Sequence, residues 1–394
     1  MIDSRPPPPR KRSFSLRSRA VRGVLYQLLA VTLIGLAVWF LWHNTLQNMR
    51  VRGIQSGFDF LLQPAGFDIG EAMIPYESMY AYWRAFLVGL LNTLRVALIG
   101  IVLTTVLGTL LGIGRFSPNA LVRGLCYGYV ELFRNVPILL QLLMWYLLLT
   151  EVLPDPGAPI SLFGLVFLSK GGLSFPAPEW ATGHAWALLG AVVGLIGAKF
   201  YAMQARKRFQ ASGVPRAVFL PGLALVLVGT ALGWAAGGAP NEWRFPESGD
   251  VAVTGGGEIT PEFIAVLLGL TLYTASFVAE VVRAGIQSVP RGQLEASNAI
   301  GLSRGQQMRL VVLPQALRVI IPPITNQYLN LTKNSSLAVA IGYPDVVSIA
   351  NTALNQTGRA VECIAIIMAV YLFTSLSTSA FMNWFNRRAA IKER

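Results

Sequence analysis

The stretch EASNAIGLSRGQQMRLVVLP (residues 295–314) is polar and partly basic, and long apolar runs flank it on both sides. Helix signals divide it in two. Pro290 suits the first turn of a short helix that runs to Ile300, and Gly301 can take the left-handed backbone that ends such a helix. The first half therefore predicts a short helix that stops at a glycine.

The second half has its own start signal. Ser303, followed three residues later by Gln306, predicts a capping box, and Pro314 is expected to break the helical pattern before the next apolar run. The two helices would form a bent pair that presents apolar and charged side chains together, a surface suited to a groove on a partner protein. These side chains are Leu294, Glu295, Ile300, Arg304, Met308, Arg309 and Leu310.

The whole chain has the composition of a membrane protein. Of its 394 residues, 54% are hydrophobic and 13% are charged, about half the charged share of a soluble domain. Eight stretches reach or approach the ~20 apolar residues that a membrane-spanning helix needs, although polar residues interrupt one of them (319–341). We therefore predict an all-α polytopic membrane protein with about eight transmembrane helices. The other seven stretches are 24–42, 86–113, 125–149, 185–201, 218–236, 263–282 and 364–381.

Charges between these stretches predict the orientation, because Lys and Arg are retained on the cytoplasmic side. If the N-terminus is cytoplasmic, the segments on that side hold 20 of the 32 Lys and Arg residues and three acids, whereas the outer segments hold five and twelve. Both termini are thus predicted to be cytoplasmic. Orientation accounts for the net charge of +13, and no nucleic-acid partner is expected. The cytoplasmic segments are 1–23, 114–124, 203–216, 286–317 and 387–394.

The predicted spans organise the chain into one transmembrane domain with additions. The first apolar stretch lacks a small-residue cleavage site, which favours a retained anchor over a removed signal peptide. Residues 151–259 hold two short spans between Pro- and Gly-rich segments, which predicts an inserted helical hairpin with periplasmic loops. The predicted parts are a basic cytoplasmic tail (1–23), an N-terminal transmembrane helix (24–42), a periplasmic segment (43–82), the transmembrane domain that contains the insert (86–383) and a cytoplasmic tail (384–394).

Motifs that would supply energy or catalysis are absent from the sequence. It contains no G-x-x-x-x-G-K-[ST] phosphate loop, no H-E-x-x-H motif and no Cys/His cluster. Its two cysteines, Cys126 and Cys363, lie in or beside predicted spans. We therefore predict no catalytic residue, no metal site and no cofactor in this chain, and we expect another subunit to supply the energy.

The opening stretch resembles the cytoplasmic loop of ABC importer permeases, E-A-A-x3-G-x9-I-x-L-P. A serine replaces the second alanine and a valine replaces the isoleucine. The resemblance implies the transmembrane domain of a type I ABC importer, in which this loop docks on an ATP-binding subunit that carries ATP and Mg. The matching residues are Glu295, Ala296, Ser297, Gly301, Val311, Leu313 and Pro314.

Further motifs narrow the resemblance to permeases for polar amino acids. The segments GLLNTL (89–94), YVELFRNVPILLQLL (129–143) and LYTASFVAEVVRAGIQSVPRGQ (272–293) are similar to that group. Residues 314–345 most resemble the permease subunit of the bacterial general L-amino acid transport system. This resemblance implies a complex in the bacterial inner membrane with two permease chains, two copies of the ATP-binding subunit and a periplasmic amino-acid-binding protein.

Polar side chains inside the predicted spans are candidates for the translocation pathway, because they are costly in lipid and therefore face protein or water. Carboxylates and guanidinium groups together would suit a zwitterionic amino acid. The same residues could instead pair within one helix or join neighbouring helices, and the sequence leaves both roles open. The candidates are Glu131, Arg134, Asn135 and Gln141 in the third span, Glu280 and Arg283 in the sixth, and Asn326, Asn330, Lys333 and Asn334 in the interrupted stretch.

The sequence therefore predicts a permease subunit of an ABC importer for L-amino acids that does not itself hydrolyse ATP. An ABC permease for another small polar solute is one alternative. A second is a transporter driven by an ion gradient, with Lys333, Glu131 and Glu280 as coupling sites. A membrane-bound enzyme ranks third. Dependence of uptake on ATP and a binding protein, rather than on the membrane potential, would distinguish an ABC permease from a transporter driven by an ion gradient.

Overall fold

The computed structural model describes residues 19–51, 53, 56–214 and 216–389. Most of the predicted basic tail (1–18) and the end of the predicted C-terminal tail (390–394) lie outside these ranges. In the described part the chain is mainly helical. Its α-helices are α1 (Arg19–Val51), α2 (Tyr82–Gly114), α3 (Ala120–Asn135), α4 (Ile138–Leu147), α5 (Thr182–Ser212), α6 (Phe219–Ala236), α7 (Pro261–Gln287), α8 (Arg291–Ala299), α9 (Arg304–Gln307), α10 (Leu313–Asn334), α11 (Val346–Thr357) and α12 (Ala360–Ala389).

The described residues hold seven helices long and apolar enough to cross a membrane, and an eighth if α3 and α4 are counted as one bent span. The number of spans agrees with the prediction of about eight, and the predicted third span (125–149) is bent. Pro137 separates α3 from α4, which are bent by 104°. The Nε2 of Gln141 donates to the carbonyls of Phe133 (3.0 Å) and Val136 (2.9 Å), so this side chain satisfies backbone groups that the break would leave unpaired.

The prediction that Pro314 breaks the helical pattern was wrong. The chain from Arg304 to Ile341 forms one span-like element, in which a π turn (Met308–Val312) leads into α10 and a 3₁₀ turn (Ser335–Ile341) follows it. Pro314 lies in the first turn of α10. A wide turn just before it is a place where a helix tolerates a residue that has no N–H to donate.

Helix α7 is the centre of the packing. In the most apolar 18-residue stretch of α7, 56% of the residues are buried. The neighbouring helices approach α7 at glycines. A Cβ on Gly108 of α2 would lie 2.7 Å from the Cβ of Val278, and one on Gly269 of α7 would lie 2.6 Å from Leu142 of α4. On another face of α7, a Cβ on Gly285 would lie 2.2 Å from Ile320 of α10. These small residues let the backbones come close, as is typical of helix packing in membranes.

The insert over 151–259 contains the helical hairpin α5–α6, whose helices also meet at glycines. A Cβ on Gly190 would lie 2.0 Å from the carbonyl oxygen of Gly229, and one on Gly233 would lie 2.2 Å from that of Trp186. The segments of the insert on either side of the hairpin contain short antiparallel strands. They are β1 (Ile160–Leu162), β2 (Val166–Ser169), β3 (Gly172–Phe175), β4 (Ala177–Pro178), β5 (Trp243–Arg244), β6 (Glu247–Ser248), β7 (Val253–Thr254) and β8 (Gly257–Ile259).

Three small sheets result, with strand orders β1-β2-β3-β8, β4-β5 and β6-β7. Pairing of Leu173 with Ile259 joins the start of the insert to its end, just before α7. The turn between β1 and β2 uses positive φ at Phe163 and Gly164. This pairing brings the two ends of the insert together beside the first turn of α7.

The segment before α2 packs at this same end of the domain, since Thr260 at the start of α7 donates to Glu71. Phe60 and Ala65 join a buried cluster with residues of α2, α11 and α12. Arg359, between α11 and α12, donates to Asp59 at 2.7 Å, and the Gly57 N–H donates to Glu362 at 2.6 Å. The hydrogen bond from Arg359 lowers the pKa of the Asp59 carboxyl below its ordinary value. By contrast, the apolar part of α1 is not buried against the rest of the described chain.

The glycine contact between α2 and α7 gives a prediction. Gly108→Ala places a methyl group 2.7 Å from Val278, so we expect overpacking of about 1–3 kcal/mol to exceed the gain of about 1 kcal/mol in helix propensity. Gly124→Ala on α3 is the control, because no atom lies within 4 Å of its added Cβ. Thermal unfolding in detergent should show a lower Tm for G108A and an unchanged or higher Tm for G124A. Equal shifts would mean that α2 and α7 are not in close contact.

Candidate functional site

Helices α8 and α9 form the predicted bent pair, which we call the short-helix pair (residues 291–307). Gly301 has φ +78°, which confirms the left-handed stop. The corner closes with two backbone bonds, from the N–H of Leu302 to the Ser297 carbonyl (3.1 Å) and from the N–H of Gly301 to the Asn298 carbonyl (2.9 Å). This is the Schellman pattern, which satisfies the last carbonyls of a helix. The corner therefore has a defined shape before any partner binds.

The start of α9 is also as predicted. The Gln306 N–H donates to the Ser303 hydroxyl (3.4 Å), and the Ser303 N–H donates to Gln306 Oε1 (2.9 Å). These two reciprocal bonds are the capping box. They fix the direction in which the chain leaves the corner.

The residues of the predicted loop motif separate into an exposed group and an anchoring group. Glu295, Ala296 and Gly301 are exposed, and so are the apolar side chains of Ile300, 75% exposed, and Leu310. Val311 and Pro314 are half-buried and Leu313 is exposed, all three in the helical turns that lead into the membrane domain. Ser297 is buried. The exposed group forms a surface with the Glu295 carboxylate and the apolar side chains of Ile300 and Leu310. Val311, Leu313 and Pro314 connect this surface to α10.

Sequence reasoning missed the residue that links the two short helices, Gln307. Its Nε2 donates to the Leu294 carbonyl (2.9 Å), to the Ser297 hydroxyl and to Asn298 Oδ1 (3.3 Å). The two hydrogens of this one NH₂ group are thus shared among three acceptors on α8. No local motif includes position 307; the serine at position 297, where the loop motif has alanine, was the only signal that could have indicated a polar contact there.

Glu280 of α7 brings together arginines from three helices or helix ends. Arg283, one turn further along α7, forms an ion pair with it. Arg115 after α2 lies 2.5 Å from Glu280, and Arg134 of α3 lies 3.9 Å from it. The structure therefore gathers the candidates Glu280, Arg283 and Arg134, together with Arg115, which the sequence analysis did not select. Within the described ranges, no group of three His, Cys, Asp or Glu side chains could hold a metal ion.

The other candidates on the third span lie in different surroundings. Glu131 accepts a hydrogen bond from Asn135, whose Nδ2 also donates to the Glu131 carbonyl at 2.7 Å. Gln141 is buried and its Nε2 caps the break between α3 and α4. Arg134 thus approaches Glu280 of a neighbouring helix, while Glu131 bonds within its own helix.

Helix α10 carries a polar stripe along one face. Asn326, Asn330 and Lys333 are exposed and spaced by four and three residues, so they lie on one side of the helix. Asn334 beside them is half-buried. The opposite face is buried against the core, for example at Ile320 and Leu331. In a membrane such a stripe needs a polar neighbour, because an ammonium group facing hydrocarbon is costly.

A second polar network, absent from the sequence predictions, is centred on Glu71 in the segment before α2. Glu71 forms an ion pair with Arg95 of α2, and Asn92 donates to the carbonyls of Glu71 (2.8 Å) and Pro344 (3.0 Å). A polar cavity of about 300 Å³ lies next to Glu71. These contacts tie the segment before α2 to α2 itself and to the turn before α11.

Asp345 begins α11 in this network. It is fully buried, and its Oδ1 accepts from the Ser348 N–H at 2.8 Å, while the Tyr371 hydroxyl lies 3.5 Å from its Oδ2. Burial raises the pKa of the Asp345 carboxyl to about 7, although hydrogen bonds from backbone N–H groups act in the opposite direction. The folded chain therefore favours the protonated form of this carboxyl well above its ordinary pKa.

Residues 104–391, from the middle of α2 to the last residues of the chain, match a family model. Its description is the inner membrane component of a binding-protein-dependent transport system. The chain belongs to this family. The match includes the short-helix pair, the Glu280 cluster and the polar stripe. It confirms the predicted permease and sets aside the transporter driven by an ion gradient and the membrane-bound enzyme.

Two relatives align with almost the whole permease. It is 46% identical to the general L-amino acid transport system permease protein AapQ of Rhizobium johnstonii, over 95% of this chain and 93% of AapQ. It is 45% identical to the putative amino-acid ABC transporter permease protein YhdX of Escherichia coli, over 98% of each chain. A crystal structure of an amino acid ABC transporter with histidines aligns with 78% of this chain and 95% of its own, with 20% identity and a TM-score of 0.46.

The buried carboxyl of Asp345 gives a pH prediction for this permease. Its folded pKa of about 7 exceeds the ordinary 3.8, so protonation stabilises the folded state below pH 3.8, and this stabilisation is lost as the pH rises towards 7. Asp345→Asn keeps a capping side chain and cannot ionise. In thermal unfolding, the Tm of the natural chain relative to that of D345N should fall between about pH 4 and pH 7 and stay level above about pH 8. A constant difference would mean that the carboxyl is hydrated.

Proposed function

We propose that this chain is the permease subunit of an ATP-driven importer of L-amino acids in a bacterial inner membrane. The observation that carries this proposal is the preformed, exposed short-helix pair at the end of the central helix α7, in a chain that belongs to a family of binding-protein-dependent transport components. Amino acids are the proposed solutes because both relatives described above are named for them. Another small polar solute remains the alternative.

The short-helix pair is proposed to dock on an ATP-binding subunit. Ile300 is 75% exposed at the corner of the pair, so a groove on a partner would remove a large apolar side chain from water. The backbone bonds at Gly301 and the capping box at Ser303 already fix the corner. Docking would therefore cost little ordering entropy.

The polar stripe of α10 is proposed to face the translocation pathway and a second permease chain. Asn326, Asn330 and Lys333 are exposed in the chain alone, and a water-filled passage or a partner chain would supply the polar neighbours that lipid lacks. The ammonium group of Lys333 would suit the carboxylate that every amino acid carries. The cluster of Glu280 with three arginines is the second candidate region, and its mutual ion pairs also suit a role in holding α2, α3 and α7 together.

The proposed complex contains two ATP-binding subunits, a second permease chain and a periplasmic amino-acid-binding protein. ATP and Mg would bind to the ATP-binding subunits. This chain would hydrolyse no ATP and would require no cofactor of its own. Its role would be to convert the docking movement at the short-helix pair into access to the pathway.

Docking is tested by two changes at the short-helix pair. Glu295→Lys reverses an exposed charge, and Gly301→Val places a β-branched residue at φ +78°, which costs on the order of 1 kcal/mol or more. We expect both variants to reach the membrane at normal levels, to retain fewer ATP-binding subunits in detergent pull-downs and to lose ATP-dependent uptake in proportion.

The controls for docking make the same changes elsewhere. Glu247→Lys lies in the outer part of the insert, and Gly213→Val lies at the end of α5, outside the short-helix pair, where φ is +70° and nothing is within 4 Å of the added Cβ. Both controls should keep subunit binding and uptake. If E295K and G301V behave like these controls, the docking assignment is wrong.

The polar stripe is tested by Asn330→Leu. If the stripe faces the pathway or a second permease, uptake of labelled L-amino acids should fall several-fold while the chain still inserts. Asn383→Leu is the control, because Asn383 is also exposed but lies near the end of the span of α12, where water is close. Normal uptake together with a raised Tm for N330L would show that this face contacts lipid.

A further inference from the structure

We propose that Gln307 is a positioning residue that fastens α8 to the start of α10, so that the short-helix pair and α10 move as one body. This inference rests on the proposed docking function. Gln307 is the last residue of α9, and the π turn that leads into α10 begins at the next residue, Met308. The linking side chain is therefore at the point where a displacement of α8 must enter the transmembrane helix.

The direction of the hydrogen bonds is fixed by the partners. The Leu294 carbonyl and Asn298 Oδ1 can only accept, so the group of Gln307 that faces them is its NH₂. The Ser297 hydroxyl donates to the Leu294 carbonyl at 2.8 Å and accepts from Gln307 Nε2. The site is thus built for a donor at position 307 and would reject an acceptor.

The link closes a loop that the backbone leaves open. Ser297 is on α8, Gln307 is at the end of α9, and the corner at Gly301 lies between them. The backbone bonds of the corner hold residues 297–302, and the capping box holds the start of α9, but neither connects α8 with the end of α9. Ser297 is only 3% exposed, so water does not compete freely for this contact.

The serine and the glutamine complement each other. An alanine at position 297, as in the loop motif, would offer no hydroxyl to Gln307. A residue without a donor at position 307 would leave the buried Ser297 hydroxyl with one bond fewer. The two positions therefore form one unit in this chain.

A fixed angle between α8 and α10 has a mechanical consequence. Helix α10 carries the polar stripe and packs through Ile320 against Gly285 of α7. If α8 could pivot at Gly301, ATP-driven movement of the docked subunit would turn α8 without moving the stripe. With Gln307 in place, the same movement is transmitted to α10.

The test uses the same substitution at two positions. Gln307→Glu keeps the size of the side chain but replaces its NH₂ by a second acceptor, which faces the Leu294 carbonyl, itself an acceptor. Gln210→Glu makes the same change in shape and charge at an exposed position of α5, outside the short-helix pair. Both variants are assembled with the ATP-binding subunits and the binding protein in vesicles, and subunit content, ATP hydrolysis and solute uptake are measured.

We expect Q307E to retain the ATP-binding subunits and to hydrolyse ATP, while its uptake per ATP falls about fivefold or more, the loss expected from one hydrogen bond. Q210E should stay within about twofold of the natural chain. Ser297→Ala should lower the ratio less, and S297A with Q307E should be no worse than Q307E alone, because the two residues act as one unit.

An unchanged uptake per ATP in Q307E, with its ATP-binding subunits retained, would overturn the role of Gln307. An equal loss in Q210E would overturn it too, because an added charge rather than the lost donor would then be the cause. These results differ from failure of the proposed docking, which would appear as full subunit binding by both E295K and G301V. Gln307→Asn, which keeps a shorter donor, should recover part of the ratio if the hydrogen bond is the cause.

Discussion

The close approach of α7 to its neighbours is the contact on which the rest of the structure depends. Water is absent from the interior of a bilayer, so the hydrophobic effect does not hold apolar helices together there, and packing must. Gly108 and Gly112 of α2 meet Val278 and Val282 of α7, and Gly285 of α7 meets Ile320. One helix thus sets the positions of α2 and α10, with α4 placed by Gly269 in the same way.

The positions of the short-helix pair and of the polar stripe both depend on this central helix. The C-terminal end of α7 leads directly into α8 through Pro290, and Glu280 near that end gathers the arginines of its neighbours. Helix α10 returns along α7 and exposes its polar stripe on the side away from the contact. The short-helix pair and the stripe are therefore joined by one continuous stretch of chain that is packed against α7 at its start and at its end.

Local signals predicted the parts of the structure that local chemistry decides. Apolar length revealed the spans, and the positions of Gly301, Ser303 and Gln306 revealed the corner of the short-helix pair, because turns and caps depend on a few adjacent residues. Contacts between distant residues were not predictable in this way. The partner of Arg134 is Glu280 rather than its neighbour Glu131, and Gln307 finds its acceptors nine or more residues away.

The glycine-lined hairpin α5–α6 has a consequence for the order in which the chain folds during synthesis. Each helix of the hairpin has the other as its main neighbour, so the hairpin can close as soon as residue 237 has entered the bilayer. Helix α2 has no such neighbour nearby in sequence, and its partner α7 follows only after the whole insert has been made. Between these two moments the glycine face of α2 lies open to lipid. Because the insert lies between α2 and α7 in the chain, α2 can complete its packing only after the insert and α7 have been synthesised.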